Sequence, residues 1–567
     1  MTIAHPIRPP EHADVLIIGA GVSGLYCAYR LLEQQPTLKI CVVEKIGRIG
    51  GRLDTDHVVI VDDSGKPVET KDEEGGMRFN FQMTELLELS RRLGLDQRIV
   101  PFGMGDDNNR YYVRGHAFTV GEAAANDNAI WSELYVLAVN EQGLSPGQLI
   151  DGVYRAILAQ NRCDPPANPT PEFWQRFRND FSYNGVGLNQ WGLWSLLRSY
   201  GYSQECIAML SEVLGFAGPF HSSSNAGDAL QILLDFPSDP KFHAFDQGFS
   251  TLIDALAAKI LPDKTSISIG ATVSALESES NGRIRASWHS TPGVFPGAEA
   301  HGHVSAKQVI LALPKNALQS LSAASPLLNH DARSYARLRK NLDAAVGMVL
   351  SKVNLYFDNA WWRDGSTNRL PIADGPSFTD LPADSFYVFD PIVGTSATGP
   401  AALTLYCDFN NADFWQEWQE IGPKFTSPLQ SHYDVEVPQV LFAASQALVD
   451  EMRRQLQDVF ASVSVPAPVL TSYRRWGDEA EFGYAYHQWA RGADDRSVIE
   501  YMVKPFAHLD LYTCGEAFSD QQGWVNGALR SADLVLTRHF GLEPLVPASS
   551  GPSAAAVRRG SVEALPA

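Results

Sequence analysis

Cysteine is scarce in this chain and nowhere clustered. Cys27, Cys41, Cys163, Cys206, Cys407 and Cys514 are scattered over 567 residues, and none forms a CxxC pair. That pattern excludes a disulfide framework and a cysteine-based metal site, so no metal is expected. Cys27 and Cys41 fall in apolar stretches and read as small buried hydrophobes. There is no run of about 18 apolar residues, which removes a membrane-spanning helix from consideration. The opening residues, MTIAHPIRPPEHAD, lack the apolar core of a secretory signal, and a cytoplasmic chain is expected. Positive charge is in deficit: 45 Lys and Arg stand against 65 Asp and Glu, a formal net charge of −20. That balance argues against nucleic acid or an anionic membrane as the main partner and favours solubility as its purpose. No internal repeat is evident.

What is present begins with glycine. The chain is 45% hydrophobic and 19% charged, the balance of a globular protein, and its length allows about two or three domains. Residues 14–24 read DVLIIGAGVSG, and Glu44 closes the stretch KICVVE twenty residues after Gly24. Val15–Ile18 is the apolar run of a buried parallel strand. Gly19 allows the tight turn, Gly21 lets backbone approach a pyrophosphate, and Gly24 lets the next helix pack on the strand. Glu44 stands where a carboxylate accepts from ribose hydroxyls. A dinucleotide site is therefore expected.

Two further glycine loops follow. IGRIGGRLDT places Arg48 and Arg52 around Gly50-Gly51, and DEEGGMRFN carries Gly75, Gly76, Met77 and Arg78. Both can bring backbone and a guanidinium to a ligand. Residues 119–235 change to helical apolar spacing, in IWSELYVLAVNEQ, SPGQLIDGVYRAILAQ, FWQRFRNDF and SQECIAMLSEVLGF. TSISIGATVSALES predicts a β-hairpin, and Val309–Leu313 a strand ended by Pro314. Residues 345–358 and 402–409 predict strands of a second sheet. LDLYTCGEAFSDQQGWVNGAL predicts a strand, a glycine turn, a loop and a helix beginning near Asn526. A nucleotide domain that opens at residue 14 and closes near 540 is discontinuous. The last residues are Pro-, Ser- and Ala-rich and are expected to be disordered.

Taken in order and spacing, GAGVSG…VVEK, RIGGR, GGMR, VILALP at 309–314 and GEAFSDQQGWVNGAL at 515–529 resemble the flavin-dependent amine oxidase superfamily, and within it L-amino-acid oxidases. The resemblance covers about residues 12–540. It implies an α/β fold: a discontinuous Rossmann-like FAD-binding domain (12–80, 236–316 and 505–543), a mixed-sheet substrate-binding domain (81–118 and 317–504) and a helical insertion domain (119–235), with a tail over 544–567. It also implies non-covalent FAD, since Cys514 falls inside a predicted strand. The other partners expected are an L-amino acid and O2, and a homodimer or higher homo-oligomer is expected.

Site residues follow from the same resemblance, position by position. Gly19, Gly21, Gly24, Glu44, Arg52, Gly75, Gly76 and Met77 are expected at the cofactor. Val273 matches the residue whose backbone meets the adenine. Gly515 and Glu516 match the turn whose carboxylate meets FAD hydroxyls, and Trp524 and Val525 lie beside the flavin ring. Arg78 matches the arginine that pairs with the substrate α-carboxylate; an FAD phosphate contact is the alternative. Tyr406 matches a tyrosine supporting that carboxylate, or is a core aromatic. Trp524, Phe482, Tyr484, Trp489 and Tyr406 are candidates for the substrate pocket. Lys352 lies in the apolar strand AVGMVLSKVNLYF, a costly place for an amine unless it is satisfied, and matches a lysine water-bridged to flavin N5. A solvated strand edge is its alternative. Some amino-acid oxidases carry a histidine base in the helical domain, but DALQILLDFPSD has none, and His221 and His243 are out of register. Asp478, Glu479 and Glu481 would favour a basic substrate if they pointed inward. The implied reaction is hydride transfer from Cα to flavin N5, giving a 2-oxo acid, ammonia and hydrogen peroxide from bulky neutral or basic L-amino acids. The alternatives are an amine oxidase, a decarboxylating tryptophan monooxygenase, or an FAD-binding scaffold without turnover.

Overall fold

The structure is a computed structural model that describes residues 8–547, apart from 63–64, 236–241, 261–264, 293–298, 367, 389–397, 427–441, 462 and 478–482. At its centre is the strand His12–Ile18, whose last four residues are buried. It runs parallel to Ile40–Val43 on one side and to His301–Ala312 on the other. Thr265–Ser268 extends the parallel edge beyond Ile40–Val43, and Leu511–Cys514 pairs with the end of the long strand at Val309–Ala312. The start of that long strand pairs antiparallel with Ile284–Ser290, which in turn pairs with Ala271–Ser278. Strands from both ends of the chain therefore share one sheet.

Two sequence expectations change here. The 265–278 stretch is not a hairpin: the chain turns at Gly270 (φ +71°), and its two halves take different partners. The hairpin lies one strand later, between Ala271–Ser278 and Ile284–Ser290. The strand expected over Val309–Leu313 instead begins at His301 and ends at Ala312.

Helices Val22–Gln34, Ser250–Ile260 and Val525–Phe540 cover one face of this sheet through Leu25, Leu252, Leu256, Leu529 and Leu536. Arg30 Nη2 donates to Glu543 O at 2.7 Å, and Leu545, fully buried, donates its N–H to Asp533. The packed chain thus passes residue 544, where the tail was expected to start. Residues 548–567 lie outside the described residues.

The second sheet runs Leu470–Trp476, Leu350–Phe357, Ala401–Asp408, Ser385–Val388 and Gly375–Thr379, and ends on Arg110–Val113 and His116–Thr119. The expected single strand over 345–358 is split. Ala345–Met348 forms a separate ribbon with Tyr486–Trp489, and Leu350–Phe357 enters the sheet with every side chain buried.

Helices occupy much of residues 119–235. Ser145 and Gln148 form a capping box in front of Pro146, which starts the helix Pro146–Gln160. The helix expected over 130–142 stops at Leu134. Beyond it the carboxylate of buried Glu141 accepts from Ala138 N–H and from the Ser203 hydroxyl, and this side chain–backbone bonding replaces a helical ladder.

A buried ion pair ties this helical region to the helix Asp495–Val503. Arg178 on helix Pro171–Asp180 donates Nε to Asp495 Oδ2 at 2.9 Å, and its two other nitrogens reach Asp495 and Gln231. Arg178 and Asp495 are each about 1% exposed. Arg178→Met leaves that carboxylate buried without its cation, which is expected to cost about 3–5 kcal/mol. A fall in the urea midpoint of the holoprotein checks this; an unchanged midpoint would show that the pair contributes nothing.

Candidate functional site

A cavity of about 670 Å³ opens at the carboxyl ends of the parallel strands and reaches the second sheet. Its volume falls within the range of about 300–1,000 Å³ usual for small-molecule sites. At one end Gly19, Gly21, Glu44 and Val273 line it; Arg52, Gly515 and Glu516 come next. The other end is walled by Gly75, Gly76, Met77, Arg78, Tyr406, Trp524 and Val525. Nearly all the residues expected from the sequence therefore share one space. Of the residues given a cofactor, substrate or catalytic role, two do not line it, Gly24 and Lys352.

The glycines divide their work. A Cβ on Gly24 would sit 2.0 Å from Gly19 O, so this residue serves helix-on-strand packing. A Cβ on Gly21 would meet nothing within 4 Å, because the backbone there faces the cavity. The helix starting at Val22 aims its free N–H groups at the same space, which suits a phosphate. Glu44 is half-buried at the cavity wall, and its two oxygens accept from Ala20 N at 2.8 Å and Ile46 N at 3.0 Å. Burial raises its pKa while those donors oppose the rise. Each oxygen keeps a lone pair for a ribose hydroxyl.

Glu516 departs from expectation. Its oxygens accept from His487 N at 2.9 Å, Gly523 N at 2.8 Å, Arg52 Nη1 at 2.6 Å and His487 Nδ1 at 2.8 Å. Four protein donors occupy its two oxygens, so in this structure it organises the rim of the cavity. Burial opposes its charge, but His487 and Arg52 overcome that and hold its pKa far below the usual carboxylate range. Arg48 also moves: it pairs with Asp54 at 3.2 Å, donates to Ile49 O and Gly51 O, and shapes its loop without lining the cavity.

At the far end the Arg78 guanidinium lies over three rings, at 5.3 Å from Tyr387, 5.5 Å from Phe242 and 5.7 Å from Phe102. Arg78 is buried, and the aromatic faces stabilise its charge there. Tyr406 packs on Tyr387 at 5.9 Å and lines the cavity one ring away from the guanidinium. Trp524 stacks on Phe242 at 5.9 Å and donates Nε1 to Asp235 at 2.9 Å. Phe216, Ile232 and Tyr486 complete this wall. None of the cage rings was legible from the sequence, since Phe102, Phe242 and Tyr387 stand in three distant segments.

Lys352 does not face the cavity. Its Nζ donates to Glu73 O at 2.9 Å and Gly75 O at 2.6 Å, and reaches Met77 Sδ at 3.8 Å. It is a strut under the Gly75–Arg78 loop. Burial pulls its pKa down to about 8 against the Asp72, Glu73 and Glu74 carboxylates. Of the aromatic pocket candidates, Trp489 is a core residue at 1% exposure, and Tyr484 packs on Gly347 and His487. Tyr486, which opens the strand Tyr486–Trp489, takes the place at the cavity. Phe482, Asp478, Glu479 and Glu481 lie outside the described residues. His243 stacks on Phe81 at 3.9 Å and His221 packs by Trp194; neither lines the cavity.

Behind Tyr406 and Tyr486 sit two buried acids. Asp384 accepts Asp408 N–H at 2.8 Å, and Asp408 accepts Gly218 N–H at 2.9 Å. Burial, then the Asp408 charge, push Asp384 from its ordinary 3.8 up to about 8. The folded chain therefore holds a proton here that the unfolded chain has released, and this contribution to stability fades as pH rises from about 4 to 8. Asn keeps the acceptor, has no charge, and suits the backbone at φ +57°. Asp384→Asn is expected to stabilise the protein, with a gain larger at pH 8 than at pH 5. Thermal melts across that range check it; a gain independent of pH would contradict the assignment.

The donors and acceptors suit a dinucleotide with a flat ring system beside Trp524. Among the described residues no cluster of His, Cys, Asp and Glu could hold a metal, no helix is long and apolar enough to cross a membrane, and the six cysteines are free. A family model described as flavin containing amine oxidoreductase matches residues 22–535. An uncharacterized protein of Acanthamoeba polyphaga mimivirus is 23% identical, covering 94% of this chain and 95% of its own. L-amino-acid oxidase 4 of Hebeloma cylindrosporum is 23% identical, covering 94% of this chain and 82% of its own. Among solved structures, a redesigned putrescine oxidase double mutant matches with TM-score 0.60 at 18% identity, over 93% of this chain and 99% of that one. That likeness is one of fold.

Proposed function

The chain belongs to the flavin containing amine oxidoreductases, and we propose that within this family it is an L-amino-acid oxidase with non-covalently held FAD. The observation that carries this reading is Arg78, a buried cation at the cavity wall, caged by Phe102, Phe242 and Tyr387. A simple amine has no use for a guanidinium there, and an ammonium would be repelled by it. An α-carboxylate matches the guanidinium fork bidentately.

Glu44, Gly21 and the helix starting at Val22 would hold the ribose and pyrophosphate. Val273 would meet the adenine, and Trp524 with the start of helix Val525–Phe540 would meet the ring system. Bound FAD supplies the two-electron acceptor for oxidation at Cα and returns the electrons to O2. Arg78 holds the substrate carboxylate, with Tyr406 beside it, and so fixes which face of Cα is presented. Phe216, Ile232, Tyr486 and Trp524 exclude water and favour the neutral form of the substrate amine. Lys352 keeps the loop carrying Arg78 in place. The products are a 2-oxo acid, ammonia and hydrogen peroxide.

An amine oxidase is the second reading, since putrescine oxidase shares the fold. Peroxide release across the twenty L-amino acids and their decarboxylated amines separates the two. The proposal expects turnover of the amino acids and little of the amines. Peroxide from amines alone would replace it with the second reading, and none from either would leave a flavoprotein without turnover.

A further inference from the structure

The last helix of the insertion, Ala226–Leu234, ends at Asp235, whose N–H closes the final turn on Gln231 O at 2.8 Å. Its carboxylate leaves the helix and accepts the indole N–H of Trp524 at 2.9 Å, although the two residues are 289 positions apart. Trp524 itself is the cap of helix Val525–Phe540 and lines the cavity. One face of its ring stacks on Phe242 with planes 16° apart, and Phe242 is one of the three rings under the Arg78 guanidinium. The contacts form a continuous chain: Asp235, Trp524, Phe242, Arg78. Stacking alone leaves an indole free to slide in its plane. A hydrogen bond from Nε1 to the Asp235 carboxylate, part-buried at 2.9 Å, restricts that freedom, because a bond to a carboxylate is directional and stronger than one to a neutral acceptor.

We propose that Asp235 is a positioning residue of the substrate site: by holding the Trp524 indole it sets Phe242 and Arg78 for the substrate, so the helical insertion controls substrate affinity without touching the substrate. This rests on the reading of Trp524 and Arg78 as substrate-site residues. The helix bearing Asp235 is anchored independently, through Gln231 to Arg178 and through Asp228 to Trp489 N–H at 2.9 Å. It is therefore a rigid base from which to aim a side chain.

Four holoenzyme variants test it: Asp235→Ala, Asp235→Asn, Trp524→Phe and the double variant Asp235→Ala with Trp524→Phe. Asp235→Ala is expected to raise KM for the best substrate about 10-fold, with kcat changed less than about threefold. Asp235→Asn keeps an oxygen acceptor and is expected to return KM to within about twofold of the parent. Phenylalanine at 524 has no N–H, so Asp235→Ala added to Trp524→Phe is expected to change KM by less than about twofold, the signature of two residues acting as one unit. If the alanine variant does not accumulate as soluble protein, Asp235→Ser takes its place in both backgrounds. The proposal is overturned if Asp235→Asn is as impaired as the truncation, or if the truncation has its full effect in the Trp524→Phe background. Failure of the functional reading looks different: the parent would then oxidise amines and not amino acids, and the same cycle would be read on the amine KM.

Discussion

Arg78→Met lowers kcat/KM for L-amino acids by about 10³, leaves the bound flavin in place, and does not harm turnover of the corresponding amines. The size follows from losing one partner of a buried, charge-assisted pair, which costs about 2–5 kcal/mol. The loss appears mainly in KM to the extent that the carboxylate is bound equally in ground and transition states. Methionine replaces the apolar stem of the side chain, stops short of the guanidinium and remains compatible with Phe102, Phe242 and Tyr387, so the cage need not collapse. Arg78→Lys recovers only part of the activity, because an ammonium cannot form the two parallel bonds of a guanidinium. Steady-state peroxide assays and the visible spectrum of the purified protein read both effects. Loss of flavin with little change in amino-acid KM would assign Arg78 to a cofactor phosphate instead.

The second large effect separates two glycines three residues apart. Gly21→Val places a side chain in the open space in front of the helix starting at Val22, where a Cβ meets no protein atom within 4 Å. The apoprotein is expected to fold with an unchanged urea midpoint, while FAD affinity falls about 100-fold from overpacking against the ligand. Gly24→Ala does the opposite. Its Cβ would stand 2.0 Å from Gly19 O, so strand and helix must separate, and the apoprotein is expected to lose about 1–3 kcal/mol. FAD titration and urea melts of the two apoproteins check this crossed pattern. If both variants lost stability without losing FAD, the cradle would be misplaced.

The nucleotide end of the cavity was legible in the sequence because its demands are local. A buried parallel strand needs a continuous apolar run, a backbone facing a phosphate needs a missing Cβ, and Glu44 follows its own strand directly. The substrate end was not, because its geometry comes from strands that are covered on both faces. Every side chain of Leu350–Phe357 is buried, so alternation gives no hint of which way Lys352 points, and it points under the loop. Tyr484 and Tyr486 stand two residues apart, so alternation could not tell which of them reaches the cavity. The ring cage of Arg78 and the bond from Asp235 to Trp524 join distant segments, and no local pattern marks either. Glu516 was found as a residue of the site, but its saturation by Arg52, His487 and Gly523 is a property of the folded rim alone.

The most direct test of an amino-acid site built around Arg78 is anaerobic mixing of the holoenzyme with L-phenylalanine and, separately, with 2-phenylethylamine, which differs only by the missing carboxylate. Bleaching of the flavin absorbance is followed in the parent and in Arg78→Met. The parent is expected to bleach with L-phenylalanine at least about 100-fold more efficiently than with the amine, and the variant to lose that preference. Equal or faster bleaching by the amine in the parent, or a preference for the amino acid that survives in Arg78→Met, would contradict it.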